Sequence, residues 1–278
     1  MSADKTLAID ISHWRTVDWA QIPEEVRLVM IKATEGDYYR DSKLAEHVEG
    51  ALGAGKIVGL YHFYRTAIHG RKVKPGDQAE FFCEHTRQYW GDVHLRANDW
   101  ERSHRLADGS WYNPCLGSEL EDLYNFHARL DDSDWEAFTL VYTNLATWQE
   151  WKMENWRNGW QGPAWIRDGT MIDGLWVAAW GVEAPSRLPR PFSEYWMHQF
   201  TASYPMPGVF TTGGRPCGVD ANWIPSSEAE IRACLGLDLP EPVSECDPGE
   251  MAAAYRRGWQ ARTDSLLRHL QDTREGAE

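Results

Sequence analysis

The sequence predicts an α/β chain whose main body is a TIM-like (β/α)8 barrel, irregular in its second half and followed by a C-terminal helical extension. Three observations predict it. Eight short apolar runs of strand length recur between Leu7 and Asp220. The early ones alternate with helix-compatible stretches, the rhythm of βαβ units around a parallel sheet. Acidic residues also fall at the ends of several runs, where barrels of this type keep their functional groups.

In chain order the strand candidates are Leu7–Ser12 (LAIDIS), Leu28–Lys32 (LVMIK), Ile57–Phe63 (IVGLYHF) and Val93–Asp99 (VHLRAND). Thr139–Thr143 (TLVYT), Leu175–Ala179 (LWVAA), Tyr195–Phe200 (YWMHQF) and a segment around Gly218–Asp220 complete the set. Helical patterns occupy Ser42–Ala54, Gly76–Tyr89 and Gly117–Leu130. The later strands leave little room for full helices, so the second half is expected to be irregular or partly antiparallel. Arg102–Ser118 and Trp156–Gly174 break the rhythm as long loops, and long loops in compact domains are usually functional.

Residues 1–236 form the expected barrel and 237–249 (LDLPEPVSECDPG) a Pro-rich acidic linker. Residues 250–278 form a C-terminal helix, opened by Asp247 as N-cap, Pro248 at N1 and Glu250 at N3. Tyr255, Trp259, Leu266 and Leu270 recur along it at roughly helical spacing. Such a stripe folds back on the barrel, joins copies of the chain, or docks on a larger particle.

Composition narrows the partners. A formal charge of -14 argues against general affinity for nucleic acid or anionic membranes. No apolar run approaches the length of a membrane span. The opening MSADKTLAID has neither a basic nor an apolar leader segment, so no secretory signal is expected. The five cysteines form no C-x-x-C pair. Neither a metal site nor a disulfide framework is suggested, and buried free thiols are the expectation. The sixteen tryptophans suit either a packed core or flat platforms for sugar rings.

The acids are the informative feature. Alternation in LAIDIS puts Leu7, Ile9 and Ile11 on one face and Ala8, Asp10 and Ser12 on the other. The apolar face meets the helices, so Asp10 looks into the barrel. In Asp99-Trp100-Glu101 the two acids share a face while Trp100 points away. Crowded, partly buried carboxyl groups raise one another's pKa, which keeps a proton available near neutral pH. Glycoside cleavage needs such a set: an acid for the leaving oxygen and an anion for the electron-poor carbon. Asp220, on the last strand, lies beside Asp10 if the barrel closes.

Eight segments, in order, resemble the family-25 glycoside hydrolases, the Chalaropsis-type lysozymes. They are AIDISHW (Ala8–Trp14), IKATEG (Ile31–Gly36), AGKIVGLYHFYR (Ala54–Arg65), NDWE (Asn98–Glu101), VYTN (Val141–Asn144), LWVAAWG (Leu175–Gly181), WMHQFT (Trp196–Thr201) and GVDANWI (Gly218–Ile224). The resemblance implies cofactor-free and metal-free hydrolysis of the β-1,4 bond between N-acetylmuramic acid and N-acetylglucosamine in peptidoglycan. It makes Glu101 the general acid and Asp99 its partner, with Asp10 and Asp220 completing the acidic floor. Tyr61, Tyr142, Trp176, Trp196 and Trp111 are the expected substrate-binding residues. Whether the sugar's acetamido group or a carboxylate meets the reacting carbon stays open. The expected setting is a phage lysin, made in the cytoplasm and reaching the wall after release, or a lysozyme carried in a phage particle. The alternatives are a non-catalytic barrel with a structural or glycan-binding role in such a particle, and a barrel hydrolase for another N-acetylated polysaccharide.

Overall fold

A computed structural model describes residues 5–68, 71–101, 120–150, 163–167 and 169–237. Eight strands form the barrel: β1 (Thr6–Ile11), β2 (Val26–Glu35), β3 (Ile57–Phe63), β4 (Leu95–Asp99), β5 (Phe138–Thr143), β6 (Gly174–Ala178), β7 (Met197–Thr211) and β8 (Pro216–Ile224). Neighbours pair in sequence order, and β8 returns to β1, which also pairs β2, so the sheet closes. The pairs from β1 through β7 are parallel. β8 runs antiparallel to both β7 and β1. All eight sequence-expected strands are present, and the antiparallel closure is the expected irregularity.

Register explains how the barrel fills. Met30 pairs with Gly59, and Gly59 with Leu95. A Cβ on Gly59 would lie 2.3 Å from Met30 Sδ and 2.9 Å from Leu95 Cδ2. Only glycine fits that interior position. Two residues further along β3 the same inward face presents Tyr61, and then Phe63, so the mouth inherits the pleat set below it. The opposite faces carry Ile9, Ile11, Val29, Ile31, Val58, Leu60, Val141, Leu175 and Val177 into one apolar core. Each such side chain contributes about 1.5–3 kcal/mol when buried.

Helices cover that outer face. In α1 (Leu44–Gly53) the buried residues Leu44, His47, Val48 and Ala51 follow helical spacing. Pro75 occupies the first turn of α2 (Pro75–Thr86), where its missing N–H is harmless. Leu123, Phe126, His127 and Leu130 form the buried stripe of α3 (Leu120–Asp131). A polar tie joins α2 to β3: His62 meets Thr34 Oγ1 at 2.8 Å and Gln78 Oε1 at 3.2 Å. Burial takes the His62 pKa down to about 3, so this histidine is a neutral structural group.

β7 is longer than expected, because Pro205, Pro207 and Gly208 read as strand breakers in sequence. The ladder absorbs them through register shifts at 199/201, 201/204 and 205/210. Gly208, at φ 78°, also receives the backbone of Asp18 closely. After the barrel comes a short helix, Glu228–Leu235, ended by Gly236 at φ 71°. The expected linker from Asp238 onward and the C-terminal helix lie outside the described residues, as do Arg102–Ser118 and residues 156–162 and 168, while Ala164–Arg167 of the second expected loop forms a short helix. Cys83 is a buried free thiol as expected, whereas Cys217 and Cys234 are only half-buried.

Candidate active site

The C-terminal ends of the parallel strands open into a cleft of about 940 Å³. Asp10, Asp99, Glu101, Asp220, Tyr61, Tyr142 and Trp176 all line it. Asp10 comes from β1 and pairs in register with Asp220 of β8. Because β8 runs the other way, Asp220 reaches the mouth from mid-strand and not from a strand end. Asp99 closes β4, and Glu101 follows two residues on with its side chain in the same cleft. Trp100 between them turns outward and stacks on Tyr64 at 4.1 Å.

Two expectations fall elsewhere. Trp196 does not reach the cleft. It precedes β7, its ring 5.3 Å from that of Phe138 at the start of β5 and its Cβ against Gly174 at the start of β6. Those are the N-terminal ends of the parallel strands, opposite the mouth, so Trp196 packs the barrel's far end. Trp111 lies outside the described residues.

The acids differ in their surroundings. Asp10 Oδ2 accepts from Gln199 Nε2 at 3.0 Å and from Asn222 Nδ2 at 2.9 Å. Burial raises its pKa, the two amides and Arg15 oppose that, and the result is about 6. Burial also raises Asp99 well above its usual range, reinforced by the charge of Glu101. Glu101 rises to about 8 through burial and the nearby Asp10, against pulls from the Tyr142 hydroxyl and Lys32. Asp220 rises to about 8 through burial and Asp10, with Arg15 opposing. Tyr61 and Tyr142 are pushed well above the normal phenol range by burial and the acids, so both stay neutral.

The amides that hold Asp10 are themselves held. Gln199 Oε1 accepts from the Tyr142 hydroxyl and from Trp180 Nε1, both at 2.9 Å. Asn222 Oδ1 accepts from Trp176 Nε1 at 2.7 Å. Elsewhere in the cleft Glu35 binds Lys32 Nζ at 2.5 Å and the Arg65 guanidinium, and it also accepts from Tyr38. These two cations outweigh burial and lower the Glu35 pKa. His13 is fixed by Asp41, whose Oδ2 meets its Nδ1 at 2.9 Å and its backbone N at 3.0 Å.

Sequence reasoning singled out none of Gln199, Asn222, Lys32, Glu35 or Arg65, although each sits inside a segment it had marked. It also passed over Trp14, Tyr38 and Trp180. These rim aromatics are 64%, 48% and 61% exposed, and all three line the cleft. Exposed flat rings beside buried acids form a surface suited to pyranose faces.

The model for Glycosyl hydrolases family 25 matches residues 9–209. Lysozyme M1 of Streptomyces globisporus is 28% identical over 242 residues, covering 81% of this chain and 69% of the relative. The crystal structure of a bacterial lysozyme from Streptomyces coelicolor superposes with a TM-score of 0.63 at 24% identity, covering 82% of this chain and 95% of that one. A muramidase from Acremonium alcalophilum gives 0.61 at 23% identity, over 84% and 99% of the two chains. With its closed barrel, its four clustered acids and a family match over most of its length, this chain belongs to family 25 of the glycosyl hydrolases and is a glycoside hydrolase of the lysozyme type.

Proposed function

We propose that this enzyme is a muramidase that cleaves the β-1,4 bond between N-acetylmuramic acid and N-acetylglucosamine, with Glu101 as the general acid. One observation carries the role assignment. Within a single cleft Glu101 holds its proton up to about pH 8, whereas Asp10, fed by two amide donors, ionises from about 6. Two carboxyl groups pushed apart in this way supply an acid and an anion at the same pH.

In the reaction the Glu101 proton passes to the glycosidic oxygen as the C1–O bond breaks. The positive charge growing at C1 meets the acidic floor, where Asp10 is the ionised member. Asp99, on the same face as Glu101, steers the 2-acetamido group or serves as the second carboxylate. Water then adds at C1, and its proton returns to Glu101. Trp14, Tyr38 and Trp180 carry the flanking sugars, and neutral Tyr61 and Tyr142 offer hydroxyl groups without adding charge.

Clearing of purified cell walls tests the activity, and borohydride reduction of the digest identifies the bond. Muramitol at the new ends is expected. Glucosaminitol would keep a hydrolase but reject the muramidase, and a folded protein that binds walls without clearing them would favour the glycan-binding reading. The proposal extends to a phage setting, as a lysin or a particle-borne lysozyme. Immunodetection in purified virions and in the lysate supernatant separates those two, and detection in the walls of phage-free cells overturns both.

A further inference from the structure

Gln199 touches both an acid of the cleft and a tyrosine beside another acid, and the proton directions around it can be worked out completely. An indole N–H donates and cannot accept. Trp180 Nε1 lies 2.9 Å from Gln199 Oε1, so the carbonyl end of the amide faces the indole and the NH2 end faces Asp10, 3.0 Å away. Trp176 settles Asn222 in the same way, with its indole on Oδ1 and the NH2 group on Asp10. Asp10 Oδ2 therefore collects two N–H donors and has no need of a proton of its own.

Tyr142 has one hydroxyl proton, and its oxygen lies 2.9 Å from Gln199 Oε1. A carbonyl oxygen only accepts, so that proton lies on the line to Gln199. With Tyr142 and Trp180 both donating to Oε1, the carbonyl end of Gln199 is fixed from two sides.

We propose that Gln199 is a positioning residue for the anion of the cleft: Tyr142 and Trp180 pin its carbonyl, so its NH2 group is held on Asp10 and stabilises that carboxyl group as an anion. One uncharged side chain thereby favours the ionised form of Asp10 without adding a charge to the cleft. It is buried on β7, in register with Asn222 on β8 and Ala178 on β6, which leaves the amide little freedom to turn over. The proposal rests on the roles assigned above to Glu101 and Asp10.

The test is the pH dependence of kcat/KM on a soluble glycan for the wild type, Gln199→Leu and Gln199→Glu, with Glu101→Gln in parallel. The wild type should give a bell, falling in acid as Asp10 protonates and in base as Glu101 ionises. Gln199→Leu removes one donor from Asp10. The acid limb should then move up by about one pH unit. Gln199→Glu keeps an acceptor for Tyr142 and Trp180 but puts an acid beside Asp10. Its acid limb should move up, while its basic limb stays at or above the wild-type position.

A lower but unmoved bell in both variants would make Gln199 merely structural and overturn the proposal. Circular dichroism and melting report folding. If Gln199→Leu does not fold, the near-isosteric Gln199→Glu decides, and an unmoved acid limb overturns the proposal. Wild-type turnover by Glu101→Gln would instead reject the acid assignment, which separates that failure from this one.

Discussion

Glu35 and Glu101 turn into the same cleft, yet their carboxyl groups are driven in opposite directions. Glu35 sits on Lys32 and Arg65 and accepts from Tyr38, so its pKa falls although burial pushes the other way. Glu101 lies near Asp10, shares a face with Asp99, and rises to about 8. Lys32 is felt at both glutamates, but its ammonium is bonded to Glu35. A buried carboxyl group is thus sorted by the donors committed to it, more than by its residue type or depth. Glu35 is an anion that anchors two cations, and Glu101 is an acid with a proton to give.

Glu101→Gln should produce the largest effect in activity. Loss of the proton donor should lower kcat by about 10²–10⁴-fold while the fold survives, and near-wild-type wall clearing would break the comparison at its catalytic end. Stability should change in a pH-dependent way. The folded-state pKa of about 8 lies above the unfolded value of 4.5. The contribution of Glu101 to stability is therefore full below pH 4.5 and is lost as pH rises through about 8. Melting temperature should fall less between these limits in the variant than in the wild type. An unchanged slope would mean that Glu101 does not carry the raised pKa.

Glu35→Gln should do the reverse, sparing much of the proton chemistry but weakening the fold. It strands two cations in a largely buried site, at a cost of about 3 kcal/mol. For a domain of this size that is a fall of roughly 6–12 °C in Tm. The lowered pKa makes this contribution present above the unfolded value of 4.5 and lost as pH falls through the folded one. The deficit should therefore be large at neutral pH and shrink in acid. Equal melting of variant and wild type at pH 7 would show that Lys32 and Arg65 do not depend on Glu35.

What could be read from sequence divides along the same line. Asp10, Asp99 and Glu101 were legible because strand alternation alone decides which way they face, and Asp220 because closure of the barrel sets it against Asp10. Tyr61, Tyr142 and Trp176 were expected only through the family resemblance. Trp196 was misplaced because alternation gives a side chain's face but not which end of the barrel it occupies, and this residue precedes its strand. Gln199 and Asn222 were passed over for a different reason. An amide has no charge or apolar pattern to mark it, and its importance comes from cross-strand register between β7, β8 and β1. The pairing of Glu35 with Arg65 likewise joins the end of β2 to the segment after β3. Single-strand geometry and the meeting of the first and last strands were visible in the sequence, and uncharged or side-chain-to-side-chain ties across strands were not.

The smallest effect, and the one that isolates binding from proton chemistry, is expected at Trp14. Trp100 and Trp14 could each have been core or platform from sequence alone. In the fold Trp100 is fully buried against Tyr64, and Trp14 is exposed on the cleft rim with His13 4.5 Å away between ring centroids. Trp14→Ala removes a stacking face without opening a cavity, so Tm should stay within about 1–2 °C of wild type, as for a surface substitution. KM for a soluble glycan should rise about tenfold, the equivalent of about 1.4 kcal/mol, with kcat nearly unchanged because the ring binds ground state and transition state alike. The pH profile carries the sharper reading. If Trp14 only holds a sugar, both limbs of the bell stay where the acids put them. A shifted limb would mean that the rim ring also sets the polarity around Glu101 or Asp10, and the sorting of the carboxyl groups would then depend on the aromatic wall as well as on hydrogen-bond donors.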